Sequence, residues 1–85
     1  TLSNNIEDLI AQNVWIVSQN NIKIQSKNEK IKAIEIYDLV GRKIFSSNEF
    51  DSKEVILNQI IKNNQVLIAK IKLENQTIIN RKFIF

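Results

Sequence analysis

The side chains that could carry chemistry are soon gathered, because the 85 residues include no cysteine, histidine, methionine or proline. Without Cys or His there is no thiol nucleophile, no disulfide frame and no zinc site of the usual ligand types, and the commonest general base is missing. Catalysis would fall to carboxylates. None of the nine acids stands in a recognisable acid/base pair or beside a glycine-rich loop, so neither an enzyme nor a cofactor is expected. Glu49 and Asp51, with Ser47 and Asn48, could offer oxygens to Ca²⁺. That loop lacks Gly and has too few convergent acids, so a solvated loop is expected there and no metal is assigned.

Binding groups are more promising. Trp15, the sole tryptophan, could serve as a carbohydrate platform or stack on a base, but a buried or half-buried packing role is expected. Tyr37, directly before Asp38, reads as a packing and hydroxyl-bonding residue. Asn75-Gln76-Thr77 matches the N-x-T acceptor pattern, a weak signal in a chain with twelve Asn, and leaves modification of Asn75 undecided. Arg81-Lys82 followed by Phe83-Ile84-Phe85 is two charges then three large apolar residues, an arrangement that a receptor could grip.

Twelve basic against nine acidic residues leave a net charge of +3. That is too mild and too scattered for a dedicated nucleic-acid binder, which clusters its cations in a stripe with exposed aromatics. Most lysines read as solvated strand faces and edge protection. No apolar run approaches the ~20 residues of a membrane helix, so no transmembrane segment is expected. The chain opens on Thr1 without a basic-then-apolar leader, which predicts a piece of a longer precursor.

The elements that must position these groups are strands. Seventeen Ile, five Val and two Thr stand against three Ala, and apolar residues recur at period two between short polar clusters. The expected strands are Val14 to Ser18, Ile22 to Ser26, Ala33 to Tyr37, Arg42 to Phe45, Val55 to Leu57, Val66 to Leu73 and Thr77 to Phe85. Asn20-Asn21 predicts a hairpin through positive φ. Asp38-Leu39-Val40-Gly41 predicts a type I turn whose last residue, the only glycine, is left-handed and bulges the hairpin. Ile34 and Ile36 should face the core, and Phe50 should plug one end. Large apolar groups on both faces of the last strand predict either a central strand or an outer face that meets a partner. Residues 1–12 differ in being polar and acidic, with Ile6, Leu9 and Ile10 at helical spacing, and read as a linker or partly ordered lead-in from an upstream domain.

From Asn13 to Phe85 the chain resembles the C-terminal sorting domain of type IX (Por) secretion, closest to its type C subclass. The resemblance rests on Tyr37-Asp38-x-x-Gly41-Arg42 at the hairpin and on the basic pair before the short apolar end. It implies an all-β fold, an immunoglobulin-like antiparallel β-sandwich of about seven strands. Two departures stand out: Asn64-Gln65 where many relatives carry Gly, and Asn75-Gln76 where many carry Asn-Gly. The second weakens the case for a two-residue type I′ turn, because Gln resists positive φ.

What the resemblance implies about function is a non-catalytic secretion signal. It directs an attached cargo domain of the same precursor across the outer membrane, with Phe85 as the natural C-terminus. Its implied partners are the type IX translocon and shuttle components and a sortase-like peptidase that removes it. Its implied location is the periplasm in transit, then the cell surface or exterior, the cargo being released or attached to lipopolysaccharide. The expected site residues are Tyr37, Asp38, Gly41 and Arg42 at the sorting hairpin and Arg81, Lys82, Phe83, Ile84 and Phe85 in a terminal strand read by strand addition. The exposed strands could also support a weak homodimer through an edge. The alternative is an adhesive or carbohydrate-binding sandwich using Trp15 and the Ser46 to Lys53 loop. A small nucleic-acid binder is a distant third, for want of free aromatics.

Overall fold

The computed structural model describes residues 13–85, so the expected lead-in over residues 1–12 lies outside the described residues. The described residues form seven strands: β1 Val14–Ser18, β2 Ile22–Ser26, β3 Ile31–Asp38, β4 Lys43–Ser47, β5 Glu54–Leu57, β6 Val66–Leu73 and β7 Ile78–Ile84. They form two antiparallel sheets, β1-β2-β5 and β4-β3-β6-β7, packed as an immunoglobulin-like sandwich. The described residues contain no helix.

Period-two patterning explains the core. Ile22 and Ile24 of β2, Val55 and Leu57 of β5, Ile34 and Ile36 of β3, and the Leu67-Ala69-Ile71-Leu73 face of β6 are all buried, while Lys70 and Lys72 turn outward. Ile31 and Ile34 are both buried although three apart, which strict alternation forbids. A register shift between Ile31 and Ala33 absorbs the extra residue and lets Lys32 point out. Phe50 packs partly buried against the core, as its position predicts, and Ile60 joins the core while Ile61 is exposed.

Two expectations about backbone change. The β1–β2 hairpin forms, but neither Asn20 nor Asn21 has positive φ; among the described residues the non-glycines that do are Asn64 and Gln76. The last strand is not central. β7 ends the order of its sheet, with Ile78 and Ile84 of its outer face exposed, so the remaining alternative is an outer face free to meet a partner.

Antiparallel pairing sends alternate connections to opposite ends. The β1–β2 and β3–β4 turns, the β5–β6 loop and Phe85 share one end, which we call the hairpin end. The β2–β3, β4–β5 and β6–β7 connections share the other.

Candidate functional site

The β3–β4 turn is organised around one carboxylate. Gly41 N–H donates to the Asp38 carbonyl at 3.1 Å and Asp38 N–H donates to the Arg42 carbonyl at 3.0 Å. Gly41 has φ 95, so the turn is the expected type I turn closed by a left-handed residue. The Asp38 side chain then secures its own loop. Its Oδ1 accepts from Val40 N–H at 3.0 Å and Arg42 N–H at 2.9 Å, and its Oδ2 accepts from Arg42 Nε at 2.8 Å. These bonds favour the ionised form, and the Arg42 N–H foremost holds the Asp38 carboxyl below the usual carboxylate range. Beyond this brace the tip carries two aliphatic side chains in water: Leu39 is 64% and Val40 83% exposed. Sequence reading passed over both, because turn residues are judged by backbone preference and not by what they present.

Tyr37 lies half-buried on the outer face of its sheet. Its hydroxyl donates to Glu35 Oε1 at 2.8 Å, while Lys43 Nζ sits 3.5 Å from Glu35 Oε2 and 6.0 Å from the Tyr37 ring centroid. The Tyr37 hydroxyl, followed by Lys43, lowers the Glu35 pKa; the same hydrogen bond raises that of Tyr37.

The terminal residues do not form one patch. Arg81 is half-buried and its Nη2 donates to the Val14 carbonyl at 2.6 Å, tying β7 to β1, whereas Lys82 points to solvent from the other face. Of the last three residues only Ile84 is exposed, at 58%. Phe83 packs partly buried on the core and Phe85 is 1% exposed within it. The Phe85 carbonyl accepts from Asn63 N–H at 2.9 Å and Asn64 N–H at 2.8 Å, its N–H donates to Gln65, and Lys62 Nζ lies 4.9 Å over its ring. Phe85 is a core residue held by the β5–β6 loop.

That arrangement bears on strand addition. β1 runs beside the outer edge of β7, held by the Arg81–Val14 bond and by Ser18 Oγ donating to the Ile84 carbonyl at 2.7 Å. Between these ties lies a cleft of about 230 Å³ lined by Trp15, Ile16, Arg81, Lys82 and Phe83. A strand adding to β7 would first have to displace β1.

Pairing nevertheless brings the two expected features together, although some 40 residues separate them in sequence. Tyr37, Ile68 and Lys82 stand opposite one another across β3, β6 and β7, as do Asp38, Leu67 and Phe83. The braced hairpin and the terminal strand share the hairpin end, with β6 between them.

The other candidates fall elsewhere. Asp51 pairs with Lys32 at 2.9 Å and Lys30 at 3.9 Å, chiefly the former lowering its pKa. Among the described residues no three acids gather as a metal site. Trp15 is not packed inside: it is 42% exposed on the outer face of the three-stranded sheet, its Nε1 donating to Gln25 Oε1 at 2.8 Å. Gln25 Nε2 donates in turn to Glu54 Oε1 at 3.2 Å. β1 is an edge strand whose inward position is taken by Val14, so alternation sends Trp15 out. Asn75 Oδ1 accepts from Thr77 N–H at 3.1 Å in the exposed β6–β7 turn.

Fold and site together define a compact β-sandwich whose distinguishing surface is one end, without a cluster of reactive groups among the described residues. The chain belongs to the family described as Domain of unknown function (DUF8694), whose model matches residues 2–85. No curated protein matches it. Among the described residues no helix is long and apolar enough to cross a membrane.

Proposed function

We propose that the domain is a non-catalytic C-terminal sorting signal that carries an attached cargo through the type IX secretion system and is then cleaved. One observation carries the reading. The Tyr37-Asp38-x-x-Gly41-Arg42 turn is braced by three hydrogen bonds donated to one carboxylate and presents an exposed aliphatic tip at the end of the sandwich where the terminal strand finishes. Such bracing lowers the entropy cost of being gripped and keeps the tip in one shape. Recognition then uses the hairpin end, with Lys82 and Ile84 as the solvent-facing members of the terminal strand. Arg81, Phe83 and Phe85 support it from within.

The test is a fluorescent protein given an export leader at its N-terminus and residues 1–85 at its C-terminus, made in a host with this secretion system and in one without. Fluorescence outside the outer membrane in the first host and confined to the periplasm in the second is expected. Equal distribution in both would sink the reading. Deleting the last five residues is a poor control because it removes Phe85 from the core; Ile84→Asp leaves the core intact.

A second reading, an adhesive or carbohydrate-binding module, gains from the position of Trp15. Its exposed indole heads a hydrogen-bonded row with Gln25 and Glu54 on the outer face of the three-stranded sheet, a surface on which a sugar ring could stack. Calorimetrically detected binding of a glycan, lost in Trp15→Ala, would favour this reading over sorting.

A further inference from the structure

The two ends of the sandwich differ in charge. The fold places Lys23, Arg42, Lys43, Lys62 and Lys82 toward the hairpin end, where each described carboxylate is held by donors: Asp38 by its own turn, Glu35 by Tyr37 and Lys43, and the α-carboxylate of Phe85 by the Asn63 and Asn64 N–H groups. Toward the opposite end, Lys27, Lys30, Lys32, Lys53 and Lys72 are matched in number by Glu29, Glu49, Asp51, Glu54 and Glu74. Apolar exposure has the same polarity. Among the described residues the four most exposed large aliphatics, Val40 at 83%, Ile61 at 80%, Leu39 at 64% and Ile84 at 58%, all lie at the hairpin end. At the opposite end the turn tips are Asn28-Glu29 and Glu74-Asn75.

We propose that the hairpin end docks on an anionic phospholipid surface, with Leu39 and Val40 entering the interface and the surrounding cations facing the headgroups. Charge complementarity selects the occupant: protruding aliphatics bordered by cations, with no free carboxylate among them, suit a fluid negative surface. The brace matters here too. Asp38 keeps the tip projecting without contributing an unpaired negative charge, because its carboxylate is spent on Val40 and Arg42. The inference stands apart from the sorting reading, since it concerns what the chain touches and not whether it is exported.

The test is co-sedimentation of the chain with vesicles of phosphatidylcholine alone and of phosphatidylcholine with phosphatidylglycerol. Binding is expected only to the anionic vesicles, weakening as NaCl is raised. Lys62→Glu/Lys82→Glu should lower the partition coefficient by at least about tenfold. Leu39→Ser/Val40→Ser should lower it by about tenfold at constant charge. Lys27→Glu/Lys53→Glu, at the opposite end, should leave the hairpin-end contact intact and cost markedly less. Thermal melts check that each variant is folded. Failure of the wild-type chain to bind anionic vesicles overturns the inference. So does equal loss from reversal at either end, and so does full binding by the Leu39→Ser/Val40→Ser variant. Retention on an acidic protein surface in place of vesicles would assign the same end to a protein partner and also overturn it.

Discussion

The β3–β4 and β6–β7 turns are built on one backbone plan. In the first, Gly41 N–H donates to Asp38 and Asp38 N–H to Arg42; in the second, Gln76 N–H donates to Leu73 at 3.0 Å and Leu73 N–H to Thr77 at 2.9 Å. Both close on a residue of positive φ, Gly41 at 95 and Gln76 at 74. They differ in what is added. The N–H of the fifth residue is satisfied in the first turn by Asp38, which also holds Val40 N–H and the Arg42 side chain, and in the second by the short reach of Asn75 alone. The second turn shows what a hairpin here needs in order to close. The first exceeds it, and the excess holds a tip of exposed aliphatics that adds nothing to the core. That contrast separates a connection from a presented feature.

Removing the brace is the severest way to break the contrast. Asp38→Ala strips two N–H groups and the Arg42 guanidinium of their acceptor and should lower Tm by about 10 °C, as loss of a well-satisfied cap does in a domain of this size. The corresponding change at the lean turn, Asn75→Ala, should cost about 2 °C or less, since one exposed bond is lost. Thermal melts of the two variants decide it. Equal losses would mean that the first turn carries no excess.

Next in size is the left-handed position itself. A Cβ on Gly41 would meet nothing within 4 Å, so the penalty of Gly41→Ala is purely one of backbone. At φ 95 the residue lies beyond the small left-handed well open to L-residues, and the substitution should cost about 1–2 kcal/mol in urea unfolding. An unchanged midpoint would show that the turn relaxes into that well.

Acid offers a gentler probe. The folded pKa of Asp38 lies below its unfolded value, so its stabilisation is complete above the unfolded pKa. As pH falls below about 4 the unfolded chain takes up the proton first, and the contribution is lost as pH passes through the folded pKa. Asp38→Asn keeps an acceptor but removes this linkage. Its deficit relative to the wild-type chain should be greatest near neutrality and shrink in acid, whereas a deficit constant from pH 7 to pH 2 would show that the charge is irrelevant. Glu35 and Asp51, also lowered, add to the acid slope of both proteins and cancel in the difference.

Much of this was legible in the residues. β1, β2 and β6 have the expected limits, and Asp38 and Gly41 occupy their expected turn positions, because period-two burial and turn preference are local rules. What failed required a neighbour from another strand. Arg81 and Lys82 look like one basic pair until alternation sends one toward β1 and the other to solvent. Phe85 looks like an exposed anchor until Asn63 and Asn64 take its carbonyl. Trp15 looks like core until β1 proves to be an edge strand. The polarity between the two ends was illegible for the same reason: the lysines are evenly spread in sequence, and only the fold sorts the side-chain carboxylates away from Lys23, Lys62 and Lys82.

The smallest expected effect tests the lean turn from the other side. Gln76 holds φ 74 with a side chain, at the edge of the left-handed well, so Gln76→Gly relieves strain of the order of 1 kcal/mol while giving the unfolded chain more freedom to lose. The two nearly offset, and the net should be a gain of about 0.5 kcal/mol in urea unfolding. Its sign is what matters. A gain beside a loss in Gly41→Ala would mean that both turns want glycine and that only the braced one has it, so the fold tolerates suboptimal closure where the turn merely connects. A loss in Gln76→Gly would instead mean that the Gln76 side chain contributes to the β6–β7 turn, and the contrast between a connecting turn and a presented one would have to rest on the tips, Leu39-Val40 against Glu74-Asn75, and no longer on how each is closed.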